Sequence, residues 1–292
     1  MTFAATGKTR ATAIGFSAVV LWALLALFTV GAQPVPPLQL NAICFAIGGT
    51  IGLIWGAATG SLGALRQVPP AAYALGTAGL FGYHYLYFSA LRLAPPAEAS
   101  LIAYLWPLLI VLFSGLLPGE RLRAGHVLGA LIAFGGAALI VAKGGFSASA
   151  EALPGYGLAF LCALTWSGYS LASRRFGQVP TVAVTVYCLA TAALSLAAHL
   201  ALEQTVWPAT PLGWSAVIAL GLGPVGLAFF TWDIGVKRGD IQMLGTLSYA
   251  APLLSTLVLI GTGFAAAAPR LLVAAAMIVA GALVAALASR RP

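Results

Sequence analysis

The chain has 292 residues, of which 61% are hydrophobic and only 7% charged, with a net charge of +8. A soluble domain of this length would be charged at roughly a quarter of its positions, so there are too few ionised groups to cover a water-facing surface, and most of it must meet lipid. The basic residues stand singly or in pairs at the ends of apolar stretches and form no run interleaved with aromatics, which argues against nucleic acid and for contact with anionic headgroups.

A short polar segment with Lys8 and Arg10 comes first. The apolar stretch after it, residues 11–31, is longer than a signal-peptide core and reads as a first membrane helix. A helix rises about 1.5 Å per residue, so a hydrocarbon core of about 30 Å takes roughly 20 apolar residues. By that measure further spans follow at 38–59, 71–91, 97–117, 124–142, 155–171, 181–201, 212–236, 241–261 and 271–289, with proline and glycine in the gaps. Placing both termini in the cytoplasm puts eleven basic residues inside and three, Arg92, Lys143 and Arg270, outside, the asymmetry expected of an inner (plasma) membrane protein with short loops. Cys44, Cys162 and Cys188 each lie within an apolar stretch and have no metal-ligand spacing, so they read as buried packing residues.

A shift of about 145 residues brings the chain into register with itself. Tyr104 and Pro107 fall on Tyr249 and Pro252, Trp22 and Pro36 on Trp166 and Pro180 (at 144), and Gly136 on Gly281. Five spans per half is an odd number, so the second half, 146–292, enters the membrane from the side opposite to the first, 1–145. The expected fold is all-α, ten transmembrane helices in two inverted five-helix repeats around a central cavity. That architecture is common in secondary transporters, with the substrate near the midplane.

The run from Ala90 to Leu109, containing Pro95-Pro96-Ala97-Glu98 and Tyr104-Leu105-Trp106-Pro107-Leu108-Leu109, resembles the third-to-fourth helix passage of the EamA repeat. Gly119-Glu120-Arg121-Leu122 resembles the turn that follows it, whereas Ala265 stands where Glu120 would repeat, so that turn is lost in the second half. The EamA repeat typifies the drug/metabolite transporter superfamily, whose members carry two repeats in ten helices. The aromatic-rich helices are most similar to its YddG-type aromatic amino-acid exporters. The resemblance implies a secondary transporter exporting small amphipathic metabolites, aromatic amino acids foremost, with a broad amphipathic-drug exporter as the alternative.

Candidate binding residues are those that lipid would not tolerate without partners. His84 lies mid-span, where its nitrogens need partners and its charge can change near neutral pH, and it reads as cavity-lining. Glu98 is either a helix N-terminal acid or an anionic contact for a cationic group of the substrate. Asp233 is either half of an ion pair with Lys237 four residues on or a site for an amine or a proton. The mid-span aromatics Trp22, Tyr83, Tyr87, Tyr104, Trp166, Tyr169, Trp232 and Tyr249 carry hydroxyl and indole N–H groups that need partners lipid cannot give. Trp166, Tyr169 and Ser173 share a helical face, as do Gln242, Thr246 and Tyr249, and such faces suit a pocket that stacks an aromatic ring. Pro107, Pro224 and Pro252 interrupt spans and are candidate hinges. Gly48, Gly52, Gly56 and Gly60 form a small-residue packing stripe. The expected partners are the substrate, the bilayer and, if transport is coupled, protons. No cofactor or metal is called for. An intramembrane enzyme lacks its reactive constellation here, and a channel lacks a charged ring or carbonyl filter.

Overall fold

The structure, a computed structural model, describes residues 2–141, 150–264 and 266–290. Lys143, Ala265, Arg291 and the junction of the two expected halves at 145 lie outside the described residues. The helices are α1 (Thr2–Ala23), α2 (Leu25–Gly31), α3 (Pro37–Ala58), α4 (Pro70–Leu93), α5 (Pro96–Ala103), α6 (Trp106–Ser114) and α7 (Ala124–Val141), then α8 (Leu153–Arg175), α9 (Val184–Leu202), α10 (Pro211–Leu222), α11 (Ala228–Arg238), α12 (Ile241–Leu247), α13 (Ala250–Gly261) and α14 (Arg270–Arg290). There is no strand among the described residues.

Proline starts many of these helices because the first turn has no use for the missing N–H and its φ is already helical. Pro37, Pro70, Pro96 and Pro211 each stand at the first position of their helix. Side-chain caps appear at two starts: Thr210 accepts from the Gly213 amide and Asp240 from that of Met243, each satisfying an amide that no helical carbonyl can reach.

Eight segments are long and apolar enough to cross a membrane: α1–α2, α3, α5–α6, α7, α9, α10–α11, α12–α13 and α14. The helices α4 and α8, of 24 and 23 residues, match them in length, at about 35 Å each. Their composition is less apolar because α4 carries Tyr83, His84 and Tyr87, and α8 carries Trp166, Tyr169 and three serines. The polar-aromatic residues are thus concentrated on two helices that pack side by side.

Four long pairings hold the bundle: α7 with α14, α3 with α9, α4 with α8, and α1 with α11. Closeness between helices depends on small residues, as packing inside a membrane requires. A Cβ on Gly129 would strike the Gly281 carbonyl, and one on Gly281 the Gly129 carbonyl. Gly48, Gly52 and Gly56 press in the same way on Gly226, Thr185 and Val182. Gly60 departs from the expected stripe: it faces open space at φ +67° and ends the turn after α3 in the left-handed region, where glycine carries no steric penalty.

Three prolines mark helix interruptions. Pro107 follows the break between α5 and α6, Pro252 follows that between α12 and α13, and Pro224 lies in a π-helical turn, Gly223–Leu227, between α10 and α11. A missing N–H and a bulky ring account for each break.

Candidate substrate site

Four tryptophans from four separate parts of the chain meet in the interior. Trp22 comes from the end of α1, Trp106 from the start of α6, Trp166 from mid-α8 and Trp232 from α11. All six ring pairs have centroids between 5.1 and 6.3 Å apart, most of them edge-on or tilted. Such contacts are worth about 0.5–1.5 kcal/mol each beyond area burial. Phe229 extends the cluster, 5.7 Å from Trp166 and stacked on Phe45 at 5.3 Å.

Along α4 a second row adjoins it. Tyr83 lies 5.3 Å from Trp166 and stacks parallel to Tyr87, one turn on. The Tyr87 hydroxyl pairs with Ser100 Oγ at 2.9 Å, and Tyr104 is an electrostatic neighbour of Tyr83 and Tyr87. His84 Nδ1 sits 2.8 Å from the Leu80 carbonyl, its ring edge-on to Phe45.

The polar edges of the cluster are unevenly satisfied. Trp22 Nε1 donates to the Pro224 carbonyl in the π turn, and Trp232 Nε1 donates to Ser170 Oγ, each at 3.1 Å. Trp166 Nε1 and the Tyr169 hydroxyl are buried with no hydrogen-bond partner, and so is Nε2 of Gln242 on α12. Trp166 and Tyr169 are neighbours on one face of α8, with ring centroids 5.3 Å apart. A buried donor left unpaired costs about 1–3 kcal/mol. An oxygen-bearing ligand group would satisfy such donors; Ser173 and the Lys237-paired Asp233 are among the polar neighbours of the Tyr169 hydroxyl.

Other expected residues lie elsewhere. Tyr249 is fully buried with Leu108, Val111 and the alanines of α7, and its hydroxyl accepts the Leu108 amide at 3.0 Å. Glu98 is buried near the start of α8 and accepts a hydrogen bond from the Tyr156 hydroxyl. Asp233 is fully buried: Lys237 Nζ lies 2.7 Å from Oδ1, and Thr181 Oγ1 donates to Oδ2 at 2.8 Å. Lys237 also donates to the Val179 carbonyl, so the pair pins α11 to the segment before α9. Trp106, Phe229 and Phe45 escaped the sequence reading. Trp106 carried the available signal, a mid-span tryptophan immediately before Pro107.

Two carboxylates outside the helices anchor the ends of the bundle. Glu203, after α9, accepts from the amides of Leu38 and Gln39 at the start of α3, from Arg92 Nη2 at 2.7 Å, and sits 3.0 Å from His199 Nδ1. Glu120, in the turn after α6, pairs with Arg174, whose other nitrogen donates to the carbonyls of Val236 and Gly239 at 2.8 and 3.0 Å. Arg92 and Arg174 stand at the last turns of the antiparallel helices α4 and α8, so the two clusters lie at opposite ends of the bundle. Antiparallel packing follows from Gly155, near the start of α8, abutting Ala94 just past the end of α4.

The comparisons with known proteins agree with this architecture. The model of the EamA-like transporter family matches residues 9–142 and again 153–287. A protein named aromatic amino acid exporter YddG from Ancylobacter novellus is 56% identical over 97% of this chain and 99% of its own. One of the same name from Salmonella typhimurium is 26% identical over 85% of this chain and 86% of its own. A solved crystal structure with 56% sequence identity superposes with a TM-score of 0.92, covering 97% of this chain and 100% of that one. With two family matches spanning nearly all of a helical bundle rich in membrane-crossing segments, this multi-pass membrane protein belongs to the EamA-like transporter family.

Proposed function

We propose that this chain exports aromatic amino acids across the inner (plasma) membrane by alternating access. The observation that carries the reading is the four-tryptophan cluster, with the unpaired Trp166 and Tyr169 donors at its edge. Aromatic faces receive the substrate ring by offset or edge-on contacts, and the two donors receive its carboxylate. Trp22 and Trp106 precede residue 145, and Trp166 and Trp232 follow it, so both halves contribute to the site. Tyr83, His84, Tyr87 and Tyr104 line its approach, and Gln242 offers a further donor from α12. Glu98 and Asp233, whose oxygens are engaged by Tyr156, Thr181 and Lys237, hold helices together. The names of the YddG relatives support the substrate class.

In this reading α4 and α8 also span the membrane, which makes ten spans in two inverted repeats, 1–145 and 146–292, with both termini cytoplasmic. The pairing pattern supports it. Counted in spans, the second packs with the seventh and the fifth with the tenth, while the first packs with the eighth and the third with the sixth. Exchanging the halves maps this set of pairs onto itself. Pro107, Pro252 and Pro224 supply the flexible points, and His84, with Phe45 at 5.1 Å and Phe229 at 6.0 Å, is the histidine beside the cluster should protons be coupled.

Uptake of labelled tryptophan, phenylalanine and threonine into proteoliposomes tests the reading, with and without a pH gradient. Saturable uptake of the aromatic pair over threonine is expected. Equal handling of all three, or none by folded protein, overturns the substrate assignment. Inhibition by structurally diverse amphipathic drugs in place of amino acids would select the drug-exporter alternative.

A further inference from the structure

Each half of the chain breaks one helix at the same place. The helix α5 gives way to α6 across Tyr104 and Leu105, and α12 gives way to α13 across Ser248 and Tyr249. At a shift of 145, Tyr104 corresponds to Tyr249 and Leu108 to Leu253. The two matched tyrosines nevertheless do different work. Tyr249 is fully buried, and its hydroxyl accepts the amide of Leu108 at 3.0 Å, across 141 residues of sequence. Leu108 lies just past Pro107 in the first turn of α6. In an unbroken helix its amide would reach back to the Tyr104 carbonyl; at the break it is given to the other half of the molecule. Tyr104, by contrast, is only partly buried and neighbours Tyr83 and Tyr87 beside the aromatic cluster.

From this asymmetry we infer that Tyr249 is a positioning residue, whose hydroxyl holds the α5–α6 break in the conformation seen here. In the opposite conformation the matched bond, from the Leu253 amide to the Tyr104 hydroxyl, replaces it. The inference rests on the alternating-access reading above. Inverted repeats that exchange conformations must also exchange the contacts that only one of them makes. A contact present in one member of a matched pair and absent from the other therefore marks the state. The exchange would also move Tyr104 away from Tyr83 and Tyr87, coupling the break to the substrate site.

The test uses full-length protein in lipid nanodiscs with Cys44, Cys162 and Cys188 replaced by alanine. Spin labels at Leu93→Cys and Leu202→Cys report on one end, and labels at Arg121→Cys and Arg175→Cys report on the other. Tyr249→Phe, which keeps the ring and its packing, is expected to shift the ratio of the two distance populations about three- to tenfold away from the present state, the scale of one hydrogen bond. Tyr104→Phe should shift it the opposite way, and the double variant should return it towards the parent. Shifts in the same direction, or none beside a clear second population, overturn the exchange. A single population under every substrate and pH condition overturns alternating access itself. Hydrogen exchange in the unsubstituted protein gives a measurement free of variants: added tryptophan should change protection at Leu108 and Leu253 in opposite senses, and parallel change contradicts the exchange.

Discussion

The two ends of the bundle are each closed by an arginine–carboxylate pair, but the pairs are built in reverse. At one end the carboxylate is the fixed member. Glu203 has a side chain only 4% exposed and is held by two α3 amides and His199, while its partner Arg92 is 51% exposed. At the other end the arginine is fixed: Arg174 is held by two carbonyls at the end of α11, and Glu120 attaches to it from a turn. Both fixed members, Glu203 and Arg174, come from the second half of the chain. Both releasable members, Arg92 and Glu120, come from the first. The difference teaches that either end can release its movable side chain, Arg92 or Glu120, without stripping the buried charge of its hydrogen bonds, since Glu203 keeps the α3 amides and His199, and Arg174 keeps its two carbonyls. That is the property an alternating gate requires, because stranding a buried charge costs several kcal/mol.

The comparison breaks most visibly at the fixed members. Glu203→Ala removes the acceptor for two helix-terminal amides and the partner of His199 and Arg92. It should lower stability by about 3–5 kcal/mol, read as the largest fall in melting temperature by tryptophan fluorescence in detergent. Arg174→Met should cost less, about 1.5–3 kcal/mol for hydrogen bonds made by one charged group. Releasing Arg92 should hardly touch stability. Arg92→Gln, at a half-exposed position, should cost at most about 1 kcal/mol yet raise cysteine-reagent access at Leu202→Cys, while Glu120→Gln raises access at Arg175→Cys. If Arg92→Gln destabilised as much as Glu203→Ala, the division into fixed and releasable members would be wrong.

How much of this was legible varies by residue. The helical stretches were plain because about 20 apolar residues in a row have few alternatives. Trp22, Trp166 and Trp232 were recognisable as mid-span rings. Trp106 was passed over although its position carried the same signal. Tyr249 looked equivalent to Tyr104 because the register matched them, yet only packing shows that one hydroxyl braces a broken helix while the other faces a row of tyrosines. Glu203 carried no signal of its own in the sequence because its partners, at 38, 39, 92 and 199, are scattered along the chain. The helix pair α4–α8 shows the opposite effect: its lower apolarity, which weakens it as a membrane signal, comes from the residues that build the candidate site.

The central claim is that the Trp166 and Tyr169 donors receive the carboxylate of an aromatic amino acid. Its most direct measurement compares proteoliposome uptake of L-tryptophan by the parent and by Tyr169→Phe, with tryptamine, which lacks the carboxylate, as competitor. The account predicts that KM for tryptophan rises about tenfold or more, the scale of one hydrogen bond to a charged group, while the tryptamine inhibition constant stays put. Equal shifts for both compounds, or no shift for either, would contradict it.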